Sequence, residues 1–136
     1  MLFNQTSNMF GKFNEATPQR LGDHLLDAPA VQADLSALRN QLLAEPSWQD
    51  SDRNAITLFK TDGLSLVLTV LHEGAKMEEN ILDSRIVIQV LMGHVQVKTS
   101  VQSHDLAQGE VLVLHEGIPH SLSALTDSTV LFTVAR

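Results

Sequence analysis

Between Asp27 and Glu45 the apolar residues Val31, Leu35, Leu38 and Leu42 recur at spacings of four, three and four, which places them on one face of a helix. Asp27 and Asp34 are both candidate caps for its start, and Pro46 stops the run. The pattern predicts a helix of about one to three turns before Glu45, its stripe packed as a lid on a sheet. After Trp48 the period changes to two. Leu64, Leu66, Leu68 and Val70 alternate with Ser65 and Thr69, and Ile86, Ile88 and Val90 alternate with Val87, Gln89 and Leu91. Val95, Val97, Thr99 and Val101 then alternate with His94, Gln96 and Lys98. Turn signals at Thr61-Asp62-Gly63, Met92-Gly93-His94 and Gln108-Gly109 separate these runs. Connections this short leave no room for crossover helices, so the fold class is all-β, an antiparallel sandwich or barrel. The Ile86 strand is apolar on both faces, which predicts a central strand covered on each side.

The residues before the helix are polar and aperiodic, with Phe3, Met9, Phe10 and Phe13 as isolated apolar points. They read either as a frayed arm or as a segment anchored by Phe10 and Phe13 across a sheet or onto a second subunit. The expected organisation is an N-terminal arm over 1–26, a helix and junction over 27–53 and a β barrel over 54–136. At the junction Trp48 reads as a core plug and Arg53 as a local tie to Asp50 or Glu79.

Composition narrows the partners. A chain of 136 residues that is 43% hydrophobic can build one core. The formal net charge of -7 is spread along the chain with no basic stripe, so neither nucleic acid nor an anionic membrane is an expected partner. No secretory leader and no apolar run of about 20 residues is visible, which makes a cytoplasmic protein the expectation. The absence of cysteine removes disulfides, thiolate nucleophiles and zinc–thiolate sites. No glycine-rich phosphate loop or G-x-S-x-G elbow is present.

Two stretches then line up. GAKMEENILDSRIVIQVLMG, Gly74 to Gly93, begins and ends on glycine around an expected strand hairpin, and GEVLVLHEGIPH, Gly109 to His120, follows it. Together they resemble the two signature motifs of the cupin superfamily, G-x5-H-x-H-x3-E-x6-G and G-x5-P-x-G-x2-H-x3-N. The resemblance covers roughly 54–134 and implies a double-stranded β-helix of jelly-roll type carrying the N-terminal arm and short helix as an addition. In the second motif Gly109, Gly117 and His120 fall on register, while His115 stands at the proline and Ala124 at the asparagine. Gly117 suits a turn needing positive φ, and Pro119 fixes the backbone before the histidine.

The first motif keeps its glycines and loses its chemistry. Its two histidine positions are Asn80 and Leu82, and its glutamate position is Ile86. Family members use those residues with the second-motif histidine to hold Fe, Mn, Ni or Zn; here His120 alone remains of the four. A divalent metal needs three or four N, O or S donors, which leucine and isoleucine lack. No metal and no other cofactor is therefore expected. A rebuilt site would have to draw on His72, His115 and His120, with Glu78 or Glu79. His24, His94 and His104 read as surface or turn residues.

If Ile86 faces the barrel interior as the resemblance implies, Ile88 shares its face, and Leu122 shares that of His120. The expected ligand pocket is then Met77, Asn80, Leu82, Ile86, Ile88, His120 and Leu122, apolar with two polar points and suited to a small organic ligand. Three readings stay open at this stage. One is a metal-free binding or sensing barrel, one an enzyme with a rebuilt metal site or with His120 as a general base, and one a structural or regulatory protein with a packed barrel. Some sugar-nucleotide epimerases of the family pair histidine with tyrosine or carboxylate, but this chain has no tyrosine. A homodimer is expected under all three.

Overall fold

The structure is a computed structural model that describes residues 26–80 and 83–136, with Glu79 and Asn80 described by their backbone alone. The expectations placed on Phe3, Met9, Phe10, Phe13, His24 and Leu82, and on the side chains of Glu79 and Asn80, lie outside the described residues.

Asp34 opens the first helix. Its carboxylate accepts a hydrogen bond from the N–H of Ala37 at 3.1 Å, and α1 runs Leu35–Ala44. Asp34, not Asp27, is therefore the cap, and Val31 lies outside the helix. Pro46 cannot donate to a helix already under way but suits the first position of a new one, so it ends α1 and opens α2, Pro46–Asp50.

The strands are β1 (Arg53–Thr61), β2 (Leu64–Leu71), β3 (Lys76–Asn80), β4 (Arg85–Met92), β5 (His94–Thr99), β6 (Ser103–Ala107), β7 (Val111–Leu114), β8 (His120–Ala124) and β9 (Ser128–Ala135). They form a five-stranded sheet in the order β1-β2-β9-β4-β7 and a four-stranded sheet in the order β3-β8-β5-β6. The links β2–β3, β4–β5, β6–β7 and β8–β9 each cross from one sheet to the other, so the two layers run in matching strand order. The hairpin expected between Gly74 and Gly93 does not form: β3 pairs with β8, and β4 pairs with β9 and β7. β1 with β2 and β5 with β6 are local hairpins, but β3, β4, β7, β8 and β9 find neighbours from distant parts of the chain, the signature of a jelly roll.

The tightest of these crossings is at Gly93. Its φ is +91°, and a Cβ there would lie 2.5 Å from the carbonyl oxygen of Asp127 and against Ser128 Oγ. Only glycine lets the β4–β5 link pass so close to the start of β9.

Between the sheets lies one apolar core that includes Val67, Met77, Ile86, Ile88, Leu122 and Phe132. The strongest apolar pattern of β2 does not point there. Leu66, Leu68 and Val70 face outward, where they meet Leu35, Leu38 and Leu42 of α1 in a second cluster, while Val67 and Leu71 face inward. The helix is thus a lid on the outside of the barrel. Asn54 ties it down, donating from Nδ2 to the carbonyl of Leu42 at 3.0 Å and to Glu45 Oε1 at 2.9 Å. Arg39 reaches Thr129 Oγ1 on β9 at 3.1 Å.

The lid does not extend over all of β4. That strand lies between β9 and β7, but on its outer side Gln89 is exposed and Val87 half-buried, so the expectation of cover on both faces is corrected. Arg53 pairs with Asp52 at 2.8 Å and donates to the carbonyl of Lys76, not to Asp50. Among the described residues no helix is long and apolar enough to cross a membrane.

Candidate functional site

The turn between β7 and β8 delivers His120 into the barrel. Gly117 takes φ +77°, the left-handed conformation that glycine adopts without penalty, and Pro119 stiffens the chain immediately before β8. His120 is then the first residue of β8, and strand alternation carries it inward together with Leu122 and Ala124. It is 1% exposed.

The two ring nitrogens meet different surroundings. Nδ1 lies 2.9 Å from the carbonyl oxygen of Ile118. A carbonyl only accepts, so Nδ1 carries the proton and neutral His120 keeps a lone pair on Nε2. That second nitrogen is buried and has no hydrogen-bond partner among the described residues. In the interior, one other described side-chain atom shares this state, Thr69 Oγ1 on β2. Thr69 is fully buried and alternates with Val67 and Leu71, which puts it on the inward face. Its role was missed in the sequence because the outward run of Leu66, Leu68 and Val70 dominates the pattern; the signal available was the spacing of two between Val67, Thr69 and Leu71.

Around His120 the register places Asn80 of β3 on one side and Thr99 of β5 on the other. Met77 is opposite Leu122 on β3, and Val97 is opposite it on β5. Ile86 and Ile88 enter from the five-stranded sheet, both at most 1% exposed. Met77, Ile86, Ile88, His120 and Leu122 therefore all belong to one interior, with the backbone of Asn80 directly beside His120. None of the buried residues described is Asp, Glu, Lys or Arg.

This donor set does not fit the divalent cation of ordinary cupins. Ile86, at the glutamate position, turns a hydrocarbon side chain into the barrel. The rebuilt alternative is corrected by placement. His72 follows β2 and stacks on Trp48, ring centroids 3.4 Å apart, with its Nε2 donating to the carbonyl of Trp48 at 2.7 Å. The neighbouring Gly74 bonds the carbonyl of Ala124, four residues along β8 from His120, which is about 13 Å of strand. His115 is on the outer turn with its side chain 85% exposed and Glu116 Oε1 at 3.8 Å. Turn geometry sends His115 to solvent and stacking holds His72 at the far end, so the three histidines do not converge. Glu78 is exposed. Among the described residues no group of three His, Asp or Glu stands in a metal-binding arrangement.

At the junction of helix and sheet one carboxyl is electrostatically displaced. Hydrogen bonds from the Arg53 guanidinium hold the Asp52 carboxyl below the usual carboxylate range, against a smaller opposing effect of burial.

No family model matches the chain, and no curated protein matches it. Solved structures do. A conserved protein of unknown function from Streptococcus pyogenes superposes with a TM-score of 0.66 at 20% identity, over 82% of this chain and 92% of that one. A cupin superfamily protein from Desulfitobacterium hafniense gives 0.60 at 17% identity, over 61% of this chain and 76% of that one. Salicylate 1,2-dioxygenase from Pseudoaminobacter salicylatoxidans, crystallised with gentisate, gives 0.70 at 16% identity, over 83% of this chain but only 35% of the dioxygenase. Matching strand order in two facing sheets, the glycine turns at 93 and 117, the inward histidine of β8 and these superpositions lead to one conclusion: the chain is a small cupin-fold protein.

Proposed function

We propose that this protein binds a small organic molecule inside its barrel, with His120 as the polar anchor and Met77, Ile86, Ile88 and Leu122 as the apolar wall. The observation that carries the reading is the buried Nε2 of His120, which keeps a lone pair in an apolar interior with no partner among the described residues. Leaving such a group unmet costs about 1–3 kcal/mol, and a ligand that supplies a donor recovers that loss. Salicylate 1,2-dioxygenase, which shares the fold, forms adducts with gentisate, a small hydroxylated aromatic carboxylate, and this supports the size of the molecule but not its charge.

Binding or sensing is favoured over metal-dependent catalysis because the donors are missing where a cation needs them. Asn80 and Leu82 replace the two histidines of the first motif, and Ile86 replaces the glutamate. Acid–base catalysis by His120 would call for a second titratable group in the interior, and none of the described buried residues supplies one.

The test is a thermal-stability screen of small neutral organic molecules on the full chain, run beside elemental analysis of protein purified without chelator. Concentration-dependent stabilisation with no stoichiometric Fe, Mn, Ni or Zn supports the reading. Near-stoichiometric metal that is lost in His120→Ala replaces it with a metal site.

A further inference from the structure

The unmet nitrogen also dictates what kind of molecule can meet it. This step rests on the binding reading above and adds the chemical class of the ligand. Because Nδ1 is committed as a donor to Ile118, the neutral ring presents Nε2 only as an acceptor. A ligand group placed there must bring a hydrogen: a hydroxyl or an N–H. An ether, ketone or ester oxygen would set lone pair against lone pair and leave both unsatisfied.

Charge removes a second group of candidates. Among the described residues no Arg or Lys is buried, and the Arg85–Glu116 pair, 3.9 Å apart at the β4 and β7–β8 end, has both side chains more than half exposed. A carboxylate or phosphate carried inside would therefore have no counter-ion unless His120 itself became protonated, and burying an uncompensated anion is far more costly than burying a hydroxyl. The described members of the interior cluster are all apolar, and Thr69 Oγ1 on the inward face of β2 is a second buried hydrogen-bonding point without a partner among the described residues.

We infer that the ligand is a neutral, mainly apolar molecule carrying a hydroxyl or N–H, which it donates to Nε2 of His120. Esters, ethers and carboxylate or phosphate anions of similar size are rejected.

Phenol, toluene and benzoate separate the possibilities, since they share a ring and differ in donor and charge. Affinities of the full-length protein and of H120L for each are measured by calorimetric titration, and the wild-type imidazole 15N signals are followed by NMR. Phenol is expected to bind the wild type about tenfold tighter than toluene, with that ratio falling to about one in H120L. The Nε2 signal shifts with phenol and not with toluene. Should H120L fail to fold, the wild-type nitrogen signal alone decides. Equal binding of phenol and toluene with an unmoved Nε2 signal overturns the donor inference and leaves the binding barrel standing. Preferential binding of benzoate overturns the exclusion of anions and shows a protonated His120. If none of the three binds at any concentration, the binding barrel itself fails, and the inference with it.

Discussion

His120 donates its Nδ1 proton to the carbonyl oxygen of Ile118, two residues back along the chain, at 2.9 Å. So local a contact sets the tautomer of a residue whose other nitrogen faces the barrel. It makes the histidine an acceptor before any ligand arrives. The turn residues and the interior site are in this sense one unit: Gly117 and Pro119 shape the loop, the loop presents the carbonyl, and the carbonyl directs the ring.

Replacing His120 with leucine separates stability from binding. The substitution removes a buried acceptor with no partner among the described residues, relieving about 1–3 kcal/mol, and gives up one neutral hydrogen bond worth about 1 kcal/mol. Ile118 is partly exposed, so its carbonyl can turn to water. The ligand-free H120L protein is expected to be more stable than the parent by about 1 kcal/mol in urea unfolding. A loss greater than about 2 kcal/mol would show that Nε2 is satisfied in solution.

Gly93 and Gly109 offer a paired comparison. Both have φ near +90°, but a Cβ at Gly109 meets nothing within 4 Å, whereas at Gly93 it runs into Asp127 and Ser128. Alanine at 109 should cost only the backbone term, roughly 1–2 kcal/mol, while alanine at 93 should cost about 3 kcal/mol or more because the β4–β5 crossing must move. Thermal melts of the two variants, measured side by side, give the difference directly. Equal losses would mean that the link is free to shift.

Asn54 is the bolt between lid and barrel. Besides its two donations to Leu42 and Glu45, its Oδ1 accepts from the N–H of Ala55 at 3.0 Å. Truncation to alanine removes all three bonds, leaving the Leu42 carbonyl the long 3.4 Å bond from the Glu45 N–H, and should cost about 2 kcal/mol. Trp48, the single tryptophan, stands beside this contact on α2, so its emission reports whether the lid loosens before the barrel unfolds. Coincident fluorescence and far-UV transitions would show that lid and barrel remain one cooperative unit.

The Asp52–Arg53 pair predicts a direction with pH. The carboxyl has a folded-state pKa below its unfolded value, so its contribution is present above the unfolded pKa, near about 3.9, and is lost as pH falls through the depressed one. With the Asp52 side chain 49% exposed, solvent screening keeps the effect small. Asp52→Asn should lower the urea midpoint slightly at neutral pH, and the gap to the parent should close in acid. A gap that widens in acid would rule out this pair as its source.

The alternation after Trp48 was enough to read an all-β barrel. The glycines at 63, 93, 109 and 117 were legible as turns because each sits where the chain must take positive φ, and all four do. The loss of metal donors at Ile86 was legible too, since an aliphatic side chain cannot ligate in any fold. Other features required the assembled molecule. Period two says that successive side chains point oppositely, but not which side is in, so only the assembled fold shows Leu66, Leu68 and Val70 packed under α1 and Thr69 facing inward.

Chain order determined that His72, His115 and His120 lie near strand ends, whereas the sheet topology decided that they lie apart. A hairpin between β3 and β4 was the natural local reading, and the jelly roll overrode it by pairing each with strands from later in the chain. Sequence by itself therefore determined which residues can carry chemistry and where turns must fall, because side-chain composition and backbone sterics act locally. Tertiary structure alone decided which face is interior and which nitrogen of His120 points into it, because burial and hydrogen-bond satisfaction exist only once distant strands have met.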